Sequence, residues 1–192
     1  MANSPIQDHP LFQTARLLAR WIDRFTERLG ALMAWLVVAM VLVGAWNVVG
    51  RYVGRIIGQN LTSNTLLEAQ WYLFALVFML GAAYTLKRNG HVRVDLLYKG
   101  WSPRRKAWVN LWGSLLFLIP FSCLVIYFSW GWTVNSWMIF ENSPNVGGLP
   151  RYPIKSLIIT SFALLILQGF AEVVKSLVII GDRSDRPPTP SK

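Results

Sequence analysis

Four long apolar runs separated by short polar segments dominate the chain, and their lengths set the first expectation. A helix needs roughly 20 mostly apolar residues to cross a hydrocarbon core of about 30 Å. Residues 29–49, 69–86, 107–134 and 154–171 meet that length, and the last run continues to Ile180 past Glu172 and Lys175. The pattern predicts an all-α integral membrane protein with four transmembrane helices. A membrane domain over residues 29–180 then carries an N-terminal segment, 1–28, and a polar tail, 181–192, that reads as disordered.

The N-terminal segment follows a different rhythm. Leu11, Ala15, Leu18, Ile22, Phe25 and Leu29 recur alternately four and three residues apart, which is one stripe of a helix. Arg16, Arg20 and Arg24 occupy other faces, with Trp21 beside them. A basic, amphipathic helix of this kind is expected to lie at the membrane interface, with anionic lipids as its partner. The alternative is a packing face for another helix.

Charge supplies the orientation, because Lys and Arg are retained on the cytoplasmic side. The arm holds Arg16, Arg20, Arg24 and Arg28; the segment after the second run holds Lys87, Arg88, Arg93, Lys99, Arg104, Arg105 and Lys106; the C-terminal segment holds Lys175, Arg183, Arg186 and Lys192. The other two connections carry only Arg51 and Arg55, then Arg151 and Lys155. Both termini are therefore expected in the cytoplasm. This topology accounts for the net charge of +10 without nucleic acid, since the basic residues are scattered and no nucleic-acid motif accompanies them. Trp46, Trp71, Trp130, Trp132 and Trp137 at outer ends, with Trp101, Trp108 and Trp112 at an inner end, form an aromatic belt.

The apolar cores contain no ionisable residue, which argues against a proton or ion path through this chain alone. Asn47, Tyr72, Tyr84, Thr85, Asn110, Ser114, Ser122, Tyr127, Thr160, Ser161 and Gln168 supply hydrogen bonds between helices instead. Pro120 predicts a kink in the third span. The two histidines, His9 and His91, fall outside the spans, so a membrane haem has no axial ligands. Cys123 is expected as a small core residue. No nucleophile elbow, zinc-protease, phosphate-loop or dinucleotide motif is present, so neither enzyme activity nor a cofactor is expected.

The remaining signals cluster at helix ends. Gly50, Gly54 and Gly58 recur every four residues, a spacing that permits close helix approach, although Gly58 also suits a helix terminus. Arg51 and Arg55 share another face, and an ion pair between Arg51 and Glu68 is expected. Gly81 precedes two alanines in a close-packing stretch. Gly90 follows Asn89 in a turn, and His91 and Asp95 come next, read as a loop pair satisfying turn hydrogen bonds. Pro and Gly enforce turns between residues 143 and 153. Ser143, Asn145, Gly148, Leu149, Pro150, Arg151 and Tyr152 in that loop are candidate contacts for a soluble partner.

Taken in order, Asn47 to Tyr52 (NVVGRY), Glu68, Gly90 to Asp95 (GHVRVD) and Gly148-Leu-Pro resemble the small, Q-type membrane subunit of TRAP (tripartite ATP-independent periplasmic) transporters. The resemblance implies a location in the bacterial inner membrane as a multi-pass subunit. It also implies two partners: a large multi-span membrane subunit that moves substrate by an elevator motion, and a periplasmic substrate-binding protein. Sodium-driven uptake of an organic acid, with this chain as static scaffold, is the implied function. A self-contained small channel or exporter acting as an oligomer is the alternative.

Overall fold

The computed structural model describes residues 10–88, 90 and 100–181. Among these, four helices are long and apolar enough to cross a membrane. We label them α1 (Pro10–Ile57), α2 (Asn64–Lys87), α3 (Pro103–Met138) and α4 (Tyr152–Gly181). The central element is α4, which packs against each of the others; α1 and α2 also pack together, while α3 rests mainly on α4.

Polarity is arranged as a bilayer solvent demands. The largest fully enclosed side chains are Gln168, Ser122, Ser136 and Ser161, all polar. Large apolar groups such as Trp35, Phe78, Phe117 and Phe128 face outward. Lipid tails are as apolar as Leu, so burying Leu in the bundle gains little, whereas small or polar residues permit close approach and hydrogen bonding. Ser161 donates to the Met79 carbonyl at 2.6 Å and joins α4 to α2. Thr85, Ser122 and Thr160, also expected between helices, bond back to carbonyls of their own helices. Gly30 and Gly44 let α1 approach α2, because a Cβ on either would strike the Tyr84 ring or the Gln70 amide. Gly81 meets no such neighbour among the described residues.

The arm and the first span are one helix of 48 residues, about 72 Å long, rather than two elements with separate axes. The arm packs within the chain mainly through Ala19, Asp23 and Thr26, beside the expected stripe, of which Leu18 and Phe25 stay exposed. Thr26, buried, donates to Gln168 Oε1 at 2.9 Å, and Gln168 Nε2 donates to Asp23 Oδ1 at 3.0 Å. Lys175 bridges Asp23 at 2.8 Å and Glu172 at 2.9 Å. One turn on from Asp23, Glu27 pairs with Lys87 and Arg88 of the α2 end. Trp21, stacked on Phe25, remains exposed. These links put the beginning of α1 and the end of α4 at one end of the bundle, the terminal end; the connections 58–63 and 139–151 lie at the opposite, loop end.

The third span bears on two further expectations, and the one for Cys123 is revised. The third span absorbs Pro120 by widening: residues Gly113–Leu118 are π-helical, and the Ile119 amide donates to the Ser114 carbonyl. Pro120 has no amide hydrogen and its ring crowds the carbonyl four residues back, so a wide turn immediately before it relieves both conflicts. Cys123 is exposed on α3 rather than enclosed. At this position α3 has no neighbour on that side, and a thiol is apolar enough to face a lipid-like environment. His91 and Asp95 lie outside the described residues.

Candidate functional site

The loop end is built from two helix termini of the same design. In α1, Gly58 adopts a left-handed conformation (φ +72°), and the Gln59 amide donates back to the Gly54 carbonyl at 3.0 Å. In α3, Phe140 takes the left-handed position (φ +46°), and the Glu141 amide donates to the Ser136 carbonyl at 3.0 Å. Both are six-to-one closures that satisfy orphan carbonyls and reverse the chain. Glycine makes this cheap in α1; Phe140 is strained there and is held by edge contact with Tyr152 at 5.8 Å.

The first closure determines what the glycine repeat does. Gly50 and Gly54 are buried beneath the returning segment of their own chain: a Cβ on Gly54 would strike the Gln59 carbonyl, and one on Gly50 would lie 3.3 Å from the Leu61 carbonyl. Close helix–helix approach, the sequence expectation for this repeat, is thus replaced by close loop–helix approach. Ser63 then caps α2 by accepting from the Leu66 amide.

Beyond α3 the chain folds as a small hairpin with an antiparallel bridge between Asn142 and Pro150. Its centre is Glu68, one turn inside α2 and only 5% exposed. One carboxylate oxygen accepts from the Ser143 hydroxyl and from Asn145 Nδ2 (2.8 Å); the other accepts from the Leu149 amide at 2.6 Å. The α2 terminus holds the tip from below, with Asn64 donating to the Val146 carbonyl at 3.0 Å and Thr65 to that of Gly147. Tyr72 donates to the Pro150 carbonyl at 2.7 Å. Gly147 provides a left-handed backbone (φ +72°), and Gly148 provides space, since a Cβ there would meet Ser143 and Glu68. Val146, at the tip, is 91% exposed on an otherwise tethered loop.

The expected Arg51–Glu68 ion pair is therefore not formed. Three donors from the 143–149 loop already satisfy the carboxylate, and Arg51 lies exposed on α1 with no ion pair among the described residues. Of the residues expected in the loop, Ser143, Asn145, Gly148, Leu149 and Pro150 are brought together with Glu68 and Tyr72. Arg151 contributes its amide, which donates to the Glu141 carbonyl at 2.7 Å.

A second carboxylate, Glu141, was not marked by the sequence pattern. It forms an ion pair with Lys155 and accepts from Ser136 at 2.7 Å, while Lys155 also lies 4.1 Å from the Trp132 ring centre. Trp137 donates from its indole to Ser156 at 2.6 Å. Glu141 has no signal in the sequence, because what places it is the left-handed backbone at Phe140 just before it, a feature no pattern reveals. The Lys155 hydrogen bond, then that from Ser136, holds the Glu141 carboxyl below its ordinary value of 4.5. Its contribution to loop stability is thus fully present above the unfolded value and lost as pH falls through the lower folded one. On acidification from pH 5, Trp fluorescence of the purified chain should report a transition below pH 4.5 that Glu141→Gln removes.

The described residues contain no group of three or more His, Cys, Asp or Glu able to hold a metal. What the loop end offers is a stiff, shaped surface anchored to three helices. A family model described as "Tripartite ATP-independent periplasmic transporters, DctQ component" matches residues 40–178. The match takes in Asn47, Glu68 and the whole hairpin, and begins within α1 beyond the arm. No curated protein and no solved structure matches the chain.

Proposed function

As the chain belongs to the DctQ component family of tripartite ATP-independent periplasmic transporters, we propose that it is the small scaffold subunit of such a transporter and holds a large elevator-type membrane subunit in place. The transporter would take up an organic acid, driven by sodium and supplied by a periplasmic binding protein. The family is a transporter component, and its partners follow from membership: a large membrane subunit and a binding protein. The observation that carries the scaffold role is the distribution of polar groups. Several of those enclosed in the bundle join helices of this chain to one another, as with Ser161 to Met79 and Thr26 to Gln168.

The excess of Lys and Arg near the terminal end supports placing that end, with both termini, in the cytoplasm of a bacterial inner-membrane protein. The loop end then faces the periplasm, and the hairpin from Ser143 to Tyr152, with Val146 at its tip, is the contact for the binding protein. Its support is the combination of exposure and tethering: little conformational freedom is left to lose on docking. The arm, with Arg16, Arg20, Trp21 and Arg24, lies near anionic headgroups on the cytoplasmic side. Gly81, where a Cβ would meet nothing among the described residues, and the 90–95 segment bearing His91 and Asp95 remain further candidate contacts for the large subunit.

The test is co-expression of the tagged chain with the large membrane subunit of the same transporter. The large subunit should be retained through purification in mild detergent, and liposomes holding this chain alone should show no uptake. Failure to co-purify would remove the scaffold reading, and transport by the chain alone would favour a self-contained channel.

A further inference from the structure

An elongated groove of about 820 Å³ runs along α1 beside α2 towards the loop end. Val41, Gly44 and Val48 line its apolar part, Asn47 and Gln70 its middle, and Arg51 and Arg55 its mouth. Asn47 is 4% exposed, and its Oδ1 is enclosed without a hydrogen-bond partner among the described residues. An amide left unsatisfied at membrane depth is costly, and lipid tails have no hydrogen-bonding group with which to satisfy it. Arg51 and Arg55 are exposed one turn apart without an ion pair among the described residues, because the loop hairpin takes up Glu68.

We infer that this groove seats a transmembrane helix of the large subunit, which brings a polar side chain to Asn47 and a carboxylate to Arg51 and Arg55. The inference rests on the scaffold reading and adds the face through which it operates. Ala45, small and exposed beside the groove, leaves room for a helix to approach α1 closely, and the groove's length along α1 suits a rod rather than a compact ligand. Charge complementarity fixes the partner's chemistry: apolar along most of its length, an amide or hydroxyl at the level of Asn47, and an acid one to two turns nearer the loop end.

The complex of this chain with its large subunit provides the test. A photo-cross-linking amino acid placed at Val41 or Val48 should capture the large subunit, and one placed at Phe128, on the outward face of α3, should not. Asn47→Leu gives the sharper reading, because a group unsatisfied in the isolated chain should cost nothing to remove. The isolated chain's melting temperature should stay level or rise, while retention of the large subunit falls about tenfold. Arg51→Gln with Arg55→Gln should weaken retention in a salt-dependent way. Capture from Phe128 but not from the groove, capture of a second copy of this chain, or unchanged retention in Asn47→Leu would overturn the groove while leaving the scaffold role intact. Loss of co-purification in the unaltered chain would instead strike the scaffold reading itself.

Discussion

Glu68→Ala should release the loop hairpin while leaving the four helices folded. The substitution removes the acceptor for the Ser143 hydroxyl, Asn145 Nδ2 and the Leu149 amide at once. Hydrogen bonds to a charged group contribute more than neutral ones, and donors left beneath the loop lose their partner with nothing to replace it. Amide exchange at Leu149 should accelerate at least about tenfold, with protection in the cores of α1 and α4 unchanged. Glu68→Gln keeps one acceptor oxygen and should give an intermediate rate. Equal exchange in all three proteins would show that the hairpin is held by its own backbone contacts, such as Ser143 to Leu149 and Arg151 to Glu141. If the hairpin is the contact for the binding protein, Glu68→Ala should also slow uptake by the assembled transporter.

Gln168→Leu should destabilise the terminal end by about 1–3 kcal/mol, the cost of leaving a buried polar group unsatisfied. Gln168 is fully enclosed and serves two partners on α1, accepting from Thr26 and donating to Asp23. Leucine has similar bulk, so the loss falls on the stranded Thr26 hydroxyl rather than on a cavity. Adding Thr26→Val should recover part of the loss, because replacing both partners by apolar groups removes the unsatisfied donor as well. Thermal unfolding of the four proteins in detergent measures the coupling, and strictly additive losses would show that the bond does not join the arm to α4. Lys175 still ties Asp23 to Glu172 in each variant, which keeps the bundle assembled during the measurement.

Both predictions concern residues the sequence had partly marked. Glu68 stood out as an acid at the head of an apolar run, and its ordered place beside NVVGRY and Gly148-Leu-Pro carried the family resemblance. Its partner was misread, because shared membrane side pointed to Arg51 whereas the φ-positive turn at Phe140 delivers the 143–149 loop above it. Gln168 was legible only as a polar residue within a span. The same holds for the glycine repeat: spacing placed Gly50 and Gly54 on one face, but the turn at Gly58 decides that this face meets the chain's own return segment.

Sequence by itself determined that this is a four-span helical membrane protein of the transporter's small-subunit kind. Apolar run length against bilayer thickness is a one-dimensional quantity, and ordered motifs are read along the same line. Only the tertiary structure decided which carboxylate meets which donor, that the arm continues into the first span and packs on α4, and that Asn47 Oδ1 is left without a partner among the described residues beside a groove. Those outcomes depend on distances between residues far apart in the chain. In a bundle whose enclosed groups are small and polar, they are set by the exact meeting of a few hydrogen-bonding side chains rather than by any periodic pattern.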